Sequence, residues 1–539
     1  MMSKLGFGLT AGDVPALRIA FDNATDLVNE PASSVGKFQF DSLNGTKLSY
    51  VYDIVQNSYD SAYRTGGWNG NYWFFTTYGW GSPYNSSNIA TTAKALIRWS
   101  TSGTGTQEKY MHKEWWDFGY LPIYEWRRID PSLASNTFTG AVVDYSQFVS
   151  SLGFVESRAG YVSIAFAYVN SNLYGSNGSR ESYMITTKTA TPNTTFDYLT
   201  TVFRLPARDD ALPDYSASPV SGQQVLLLNP TTARLALPGR DVSDADPLHY
   251  IFHEDNIPAK IMAAGDINVA ASGTADIACP LPLTPYTYMD FMIRRQTDAN
   301  FWNPPYFDSI ASDKSLQFTY FVDVANQKVT ITNLKATAIT IRYVIYADSE
   351  DVPTTGGKKV LYKGNDGTRD FVQIKRPGSS DLAPNLNDII VDTRLAYVPI
   401  LAQGFLSWSA DFPTVISGSD RFKGERMATI SVNNPSPKLK LFVKQTIVFP
   451  SNTTVVSVRN SYHRVFTDAG GTWTGRSSGD SSWAMVHDDE SAVDFYMAGA
   501  NPISYQSDGA HFAQTWDGSN HQTNALGLRY YIFGIPQSL

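Results

Sequence analysis

Four carboxylates beside an aromatic-rich stretch are the first candidates for chemistry in this sequence. Glu114, Asp117, Glu125 and Asp130 lie within or next to the segment EWWDFGYLPIYEWRR. Two carboxyl groups can hydrolyse a glycosidic bond, but only at a defined separation in space, which the sequence does not specify. The chain also contains no G-x-S-x-G nucleophile elbow and no phosphate-binding loop. We therefore predict no catalytic residues and no enzyme activity, with polysaccharide hydrolysis as the alternative.

A short acidic run offers a possible cation site. Asp241, Asp244 and Asp246 form the stretch DVSDAD, which superficially resembles a calcium loop. The glycine and the terminal glutamate of such a loop are missing, so the run is more typical of a turn in which Asp side chains accept backbone amides. The seven histidines fall in no HExxH or CxxC pattern. We predict no metal and no cofactor.

The single cysteine, Cys279, excludes a disulfide within the chain. A lone cysteine between apolar residues is more typical of a small buried side chain than of a nucleophile.

Tryptophan and tyrosine concentrate in two insertions, one at about 57–148 and a smaller one at 471–490. Aromatic planes can stack on sugar rings, or they can pack against a neighbouring subunit. Alternating clusters such as NYWFF favour packing or subunit contact. The candidate residues for glycan or subunit contact are Trp68, Tyr72, Trp73, Trp80, Trp115, Trp116, Tyr120, Trp126, Trp473 and Trp483.

Strand-type alternation must position these residues. Runs such as QKVTITNL (327–334) and TTVVSVRN (453–460) alternate β-branched or aromatic residues with polar ones, and turn residues bound them. One segment, IATTAKALIRWS (89–100), has apolar residues at helical spacing after Ser and Asn capping candidates, and it predicts a short helix. The fold class is all-β.

Two phrases recur along the chain. An opening phrase combines Gly, Asp with Val or Leu, a Pro-containing turn and a short apolar run, near residues 12, 238 and 376. A closing phrase pairs AITIRYVIYAD (338–348) with LGLRYYIFGIP (526–536), and TFDYLTTVFRLPA (195–207) is a weaker copy.

The phrases predict three repeated β-sandwich domains of jelly-roll type with aromatic-rich loop insertions. Residues 1–210 form the first domain and carry the large insertion. Residues 230–350 form the minimal repeat, and residues 370–539 form a third domain with the smaller insertion.

Composition excludes several classes of protein. Charged residues make up 17% of the 539 residues and the net charge is −8, without a basic cluster, so we predict no nucleic-acid partner. No apolar run has the length of a membrane span, and the N-terminal stretch does not have the pattern of a secretory signal. We expect synthesis in a cytoplasm without a cleaved signal and without membrane insertion.

The opening phrase, the stretch VGKFQFDSLNG (35–45) and the closing strands resemble virion structural proteins of tailed bacteriophages. The resemblance implies a tail-fibre or tail-tip protein that assembles with copies of itself, as a homotrimer or a ring. It also implies other virion tail proteins as partners, contact with host surface polysaccharide, and location in the virion after assembly in the host cytoplasm. It supplies no catalytic residue.

Two alternatives stay open at this point. One is a head decoration or collar-fibre protein of the same virion. The other is a polysaccharide-degrading tailspike, for which the carboxylates of the first insertion would be required. The position of the chain on a particle cannot be read from its sequence.

Overall fold

The computed structural model describes residues 4–44, 220–303, 318–347, 351–415, 426–448, 481–498 and 526–535, apart from short internal gaps. It also describes the backbone of individual strands between 52 and 206, at 464–477 and at 503–507. The described residues form antiparallel β-sheets, short 3-10 turns and loops. No helix among them is long and apolar enough to cross a membrane. The predicted all-β class is confirmed.

The first sixteen strands are β1 Lys4–Leu9, β2 Pro15–Ala20, β3 Phe38–Asp41, β4 Tyr52–Asn57, β5 Trp68–Asn69, β6 Tyr72–Phe74, β7 Ala95–Ser102, β8 Gly105–His112, β9 Pro122–Ile129, β10 Thr137–Thr139, β11 Val143–Asp144, β12 Gln147–Ser150, β13 Phe154–Ser157, β14 Tyr161–Tyr168, β15 Ser182–Thr189 and β16 Asp197–Pro206. The next ten are β17 Leu226–Asn229, β18 Thr232–Ala236, β19 Tyr250–His253, β20 Lys260–Val269, β21 Thr274–Ala278, β22 Met289–Arg295, β23 Phe301–Trp302, β24 Phe318–Asp323, β25 Lys328–Asn333 and β26 Ile339–Ala347. The remaining strands are β27 Leu361–Asn365, β28 Asp370–Lys375, β29 Ile389–Asp392, β30 Ile400–Ser407, β31 Thr414–Val415, β32 Arg426–Ser431, β33 Lys440–Val448, β34 Arg464–Ala469, β35 Thr472–Ser477, β36 Ser481–Val486, β37 Ala492–Ala498, β38 Ile503–Ser507 and β39 Gly527–Ile535.

Three small sheets, here called the opening sheets, have the same construction. They are β1-β2-β3, β17-β18-β19 and β27-β28-β29, each antiparallel with its second strand in the centre. Each has a bulge at the same place in the pairing of its second and third strands, between Ile19 and Ala20, Leu235 and Ala236, and Ile374 and Lys375. At each bulge one residue of the third strand is left unpaired. The three sheets therefore share a specific backbone geometry as well as a strand order.

Three further groups of strands, here called the closing sheets, surround the closing phrases. In β4-β16-β9, β20-β26-β22 and β30-β39-β33 the closing strand is central, paired antiparallel with both neighbours. In the last two, a glycine faces the tyrosine of the Arg-Tyr pair across the ladder: Gly265 faces Tyr343, and Gly404 faces Tyr530. A Cβ at residue 404 would lie 2.8 Å from the Tyr530 hydroxyl oxygen, so the close approach of the ring requires glycine there.

Two sheets run across the predicted domain limits. One has the order β21-β25-β24-β10-β9-β16-β4, and the other has the order β20-β26-β22-β23-β36-β37-β32-β31. A core cluster of the described residues contains side chains from both of these sheets. It contains apolar side chains of β20 to β26 together with Met485 and Tyr496 from beyond residue 480. Residues of the second and third predicted domains therefore share a core.

Two expectations from the sequence are wrong. The predicted helix at 89–100 is a strand in its described part, because β7 Ala95–Ser102 pairs with β6 and β8. Ile97 and Trp99 favour strands, and pairing on both sides of β7 satisfies backbone groups that a short helix would have to satisfy alone. The first opening phrase, at 12–15, lies between β1 and β2, whereas 238–242 and 376–382 lie between the second and third strands of their sheets. In the first sheet, the connection between the second and third strands is residues 21–37. The Gly-Asp-Val-Pro pattern at 12–15 therefore belongs to a different turn from the other two opening phrases.

Candidate functional site

The shared cores and the buried charged pairs of the described residues lie where the repeated sheets meet one another. The three opening sheets contribute side chains to one hydrophobic core, here called the opening-sheet core. Its buried members are Leu17 and Ile19 from the first sheet, Ala233, Leu235, Leu237, Ile251 and Phe252 from the second, and Val360, Ile374, Ile390 and Val391 from the third. Segments more than 200 residues apart in sequence thus exclude water together, which makes this core a candidate assembly centre.

A polar pair occupies the same register position beside the bulge in each opening sheet. Arg18 faces Asp41, Arg234 faces His253, and Gln373 faces Asp392. Arg18 and Asp41 are both buried, and the Arg18 Nη2 atom lies 3.2 Å from the Asp41 Oδ2 atom. Burial raises the pKa of the Asp41 carboxyl, against the opposing effects of the Leu43 amide and Arg18. Such a pair costs desolvation, so its value lies in fixing the register of the strands.

In each opening sheet, the residue that follows the third-strand member of the pair accepts a hydrogen bond from a backbone amide of the second strand. The Leu17 amide donates to Ser42 Oγ over 2.9 Å, the Ala233 amide to Glu254 Oε2 over 3.2 Å, and the Val372 amide to Thr393 Oγ1 over 3.0 Å. Ser, Glu and Thr share no side-chain shape, but each supplies an oxygen at this point. The three positions therefore share the role of hydrogen-bond acceptor, although the residue type differs.

We expect Thr393→Val to lower the free energy of unfolding by about 1–3 kcal/mol, because the Val372 amide loses its side-chain acceptor. Urea unfolding followed by tryptophan fluorescence measures the change. Thr368→Val is the matched control on the same opening sheet, since the Thr368 hydroxyl bonds Asp366 in an exposed turn. Equal effects of the two substitutions would contradict the role assigned to Thr393.

Each of the two large sheets is continuous because one short strand within it adds to the edge of a hairpin. β10 pairs antiparallel with β24, with Phe138 opposite Tyr320. β23 pairs antiparallel with β36, with Trp302 opposite Met485. In both cases the added strand follows the outer strand of a closing sheet, β9 or β22, and joins a hairpin that lies further along the chain. We call these two contacts the strand-addition junctions.

Arg342 is the charged centre of the second junction. It is 2% exposed, and its guanidinium lies 2.9 Å from Asp266 Oδ1 and 2.6 Å from Glu490 Oε1. Its Nη1 atom donates to the Leu441 carbonyl over 2.9 Å, and its guanidinium carbon lies 4.1 Å from the centre of the Phe301 ring. Burial opposes the charge, but Glu490 and Asp266 raise the pKa of Arg342 above its ordinary value.

Further ion pairs connect the same two regions of the chain. The Lys440 ammonium lies 3.3 Å from Asp266 Oδ2. Lys444, which is 1% exposed at its side chain, is paired with Asp290. These contacts join β33 to β20 and β22, so the closing sheets are held together by charge as well as by apolar packing.

Lys260, the first residue of β20, is a buried base whose pKa responds to two carboxylates of the third opening sheet. It is 3% exposed, and burial lowers its pKa from the ordinary 10.5 to about 7, although Asp392 and Asp388 act in the opposite direction. Each carboxylate already has a guanidinium partner: Arg376 lies 3.2 Å from Asp388, and Arg394 lies 2.6 Å from Asp392. Desolvation therefore outweighs the two carboxylates in setting the protonation of Lys260.

The aromatic candidates lie on several different sheets. Trp68 of β5 pairs with Trp73 of β6, and Tyr72 of β6 pairs with Arg98 of β7. The other candidates on described strands are Trp126 on β9, Trp473 on β35 and Trp483 on β36. Trp80, Trp115, Trp116 and Tyr120 lie outside the described residues. Only Trp68, Tyr72 and Trp73 are brought together, and glycan or subunit contact stays a prediction for all ten.

The carboxylates of the first insertion are not assembled within the described part of the chain. Glu125 lies on β9, opposite Thr201 of β16. Glu114, Asp117 and Asp130 lie outside the described residues.

The acidic run DVSDAD forms a turn. Asp241 accepts hydrogen bonds from the Ser243 amide at 3.0 Å and from the Gln224 amide at 2.9 Å, which lower its pKa together with the bond from the Ser243 hydroxyl. Asp244 Oδ2 lies 2.7 Å from His249 Nδ1. Among the residues that the structure describes, no group of three or more His, Cys, Asp and Glu side chains is placed to hold a metal ion. The turn role of Asp241 is confirmed, and Asp246 lies outside the described residues.

Cys279 is buried, as predicted, in the core cluster that the two large sheets share. Burial raises the pKa of its thiol to about 11 from the ordinary 9.0. We expect iodoacetamide to alkylate the folded chain at pH 8 at least about a hundredfold more slowly than the urea-unfolded chain, because both thiolate fraction and access are reduced. Mass spectrometry of the alkylated chain measures the two rates. Similar rates would contradict the burial of this thiol.

Comparison of the chain with protein families, curated proteins and solved structures found no match. The site therefore rests on its own geometry. No sequence pattern identified Glu490 as a partner of Arg342. None indicated that Ser42, Glu254 and Thr393 are equivalent. One signal was available: an arginine inside an otherwise apolar strand, as in IRYVIYA and LRYYIFG, indicates a buried partner, and Arg342 and Arg529 are both buried.

Proposed function

We propose that this chain is a structural protein of a bacteriophage tail, of the tail-fibre or tail-tip type, built from three copies of one β-sandwich domain. The three copies correspond to residues 1–210, 230–350 and 370–539. The chain assembles with further copies of itself and with other tail proteins, and its aromatic insertions contact neighbouring subunits or the host surface. The proposal assigns no reaction and no cofactor to the chain.

The observation that carries the proposal is the shared opening-sheet core. Three sheets with one register and one bulge position pack their equivalent residues Ile19, Leu235 and Ile374 into a single core. Independent binding modules would each bury a core of their own. Copies that bury equivalent residues together form an assembly, which suits a part of a particle whose role is mechanical.

The strand-addition junctions support the same role. An added strand gives each copy main-chain hydrogen bonds to the next one and covers a sheet edge that would otherwise promote disordered aggregation. The resemblance of the opening and closing phrases to tailed-phage virion proteins supplies the location on the tail.

The test is to label virus particles from the source of this chain with an antibody against residues 230–350 and to locate the label by electron microscopy. We expect label at the distal part of the tail and, for the isolated protein, self-association detected by its mass in solution. Label on the head or neck would replace the tail assignment with a decoration or collar role. Unlabelled particles would overturn the virion role.

A further inference from the structure

The two strand-addition junctions follow one rule. In each, the outer strand of a closing sheet is followed by a short strand, which adds antiparallel to the first strand of a hairpin. The second strand of that hairpin pairs on its other side with a strand that precedes the hairpin: β25 pairs with β21, and β37 pairs with β32. The acceptor edge is therefore identified by its place in the sheet.

A third acceptor of the same kind exists in the first predicted domain. The hairpin β14–β15 lies directly before the closing strand β16, as β24–β25 lies directly before β26. β15 pairs with β14 on one side and with β8, an earlier strand, on the other. β14 is the terminal strand of its sheet, and among the described residues β15 is its only ladder partner.

A third donor is expected in the third predicted domain. β33 is the outer strand of the last closing sheet, equivalent to β9 and β22. The sequence that follows it, TTVVSVRN at 453–460, lies outside the described residues. Its alternation of β-branched and polar residues predicts a strand.

We propose that the edge of β14 is the third strand-addition site of this protein, and that it takes residues 453–460 of the same chain. The proposal rests on the three-copy architecture of the proposed function. It closes the three copies into a ring within one polypeptide, so that one chain takes the place that three single-domain chains occupy in a trimer.

The opening-sheet core favours the same chain over a neighbouring copy as donor. That core contains residues of all three opening sheets, so the first and third predicted domains are already adjacent around it. β12 of the first domain and β34 of the third domain are also in contact. A donor held nearby in the same chain acts at a high effective concentration and needs no second molecule.

The test is hydrogen exchange on the full chain, resolved to single amides of β14. In an antiparallel edge strand, alternate amides point away from the only neighbour and exchange quickly unless another strand covers them. We expect the amides of 161–168 that do not face β15 to be protected, and this protection to persist when the protein is diluted until it is monomeric.

Two proline variants remove the donor. Val456→Pro and, separately, Ser457→Pro each delete one amide, so that one of the two blocks a bond to β14 in either register. We expect at least about tenfold faster exchange of the outward β14 amides in one variant, equivalent to about 1.4 kcal/mol of opening free energy. Ala271→Pro, in the exposed turn before β21, is the matched control and leaves β14 unchanged.

Each outcome decides the proposal. Outward β14 amides that exchange at the unprotected rate at every protein concentration would overturn the site. Protection that disappears on dilution would assign the donor to a neighbouring copy and overturn closure within one chain. Exchange in β26 reports whether a variant has folded. The result is independent of where the antibody labels a particle, so failure of the tail assignment and failure of ring closure are distinguishable.

Discussion

Replacing Arg342 with alanine is expected to lower the free energy of unfolding by about 3–5 kcal/mol. The substitution leaves Glu490 with no cation from β26 and removes the donor to the Leu441 carbonyl, both in a largely buried setting. It also removes the guanidinium that lies over the Phe301 ring at the second strand-addition junction. Breaking one side of a buried pair costs more than the pair contributes, because the remaining charge stays desolvated.

Urea unfolding of wild type and variant measures this change, and a double-mutant cycle assigns it. The double variant Arg342→Met, Glu490→Gln is expected to be more stable than Arg342→Ala alone, since it leaves no uncompensated carboxylate at residue 490. Lys363→Ala is the surface control, because its pair with Asp370 is exposed and 3.7 Å long, and it should leave stability unchanged. A loss below about 1 kcal/mol for Arg342→Ala would show that the cluster does not hold the junction.

The second large effect is expected from Lys260→Met, which should stabilise the protein by about 2–5 kcal/mol at pH 6. At that pH the lysine is charged in both the folded and the unfolded chain, and the folded chain bears the cost of burying the charge. Methionine has a similar length and no charge, so it fills the same space without that cost. Asp388 and Asp392 keep Arg376 and Arg394 as partners in the variant.

The sign of the pH dependence follows from the two pKa values of Lys260. The folded chain releases this proton near pH 7, whereas the unfolded chain holds it until about pH 10.5. Between these values the unfolded chain binds more protons, so this group makes wild-type stability rise with pH across the window from about 7 to 10.5. The advantage of Lys260→Met is therefore greatest below pH 7 and disappears as pH approaches 10.5.

Comparison of the two proteins at each pH isolates Lys260 from other titrating groups. Cys279 works in the opposite direction, because its raised pKa makes stability fall as pH rises through about 9 to 11. This contribution is common to wild type and variant and cancels in the difference. Lys328→Met, at an exposed pair with Asp276, serves as the control and should show no pH-dependent difference of this kind. A constant difference from pH 6 to 10.5 would refute the assignment to Lys260.

The positions of the buried polar pairs are related to the way in which strands join the copies. A strand ladder alone is weakly specific, because main-chain hydrogen bonds are the same in every register. The pairs Arg18–Asp41 and Gln373–Asp392 occupy one register position beside a bulge and cannot shift by one residue without exposing apolar side chains or burying a lone charge. Buried polar residues here select one alignment at some cost in stability.

The sequence predicted the features that depend on short-range pattern. Alternation of β-branched and aromatic residues predicted the β class, and the closing phrases predicted strands that prove to be central in their sheets, β26 and β39. Asp241, in the acidic run DVSDAD, was predicted as a turn acceptor from its neighbours alone. Each of these properties is determined within about ten residues, where propensity and turn chemistry act.

Tertiary structure decided what depends on partners distant in sequence. Residues 95–100 belong to the segment predicted as a helix but form part of β7, because β6 and β8 pair with this strand on either side. The acceptor after each polar pair is Ser42, Glu254 or Thr393, and only the common position of these oxygens in space reveals that they are equivalent.

The residues with reactive or charged side chains also fall into two groups, those that the sequence identified and those that only the structure identified. The sequence by itself predicted that Cys279 is buried, from its apolar neighbours, and the structure confirms it. It also identified aromatic residues, of which the described strands bring only Trp68, Tyr72 and Trp73 together. The charge clusters around Arg342 and Lys260 were decided by tertiary structure alone. Glu490, which pairs with Arg342, and Asp392, which raises the pKa of Lys260 against burial, lie more than 100 residues away in sequence, and only the folded sheets bring these charges near one another and out of water.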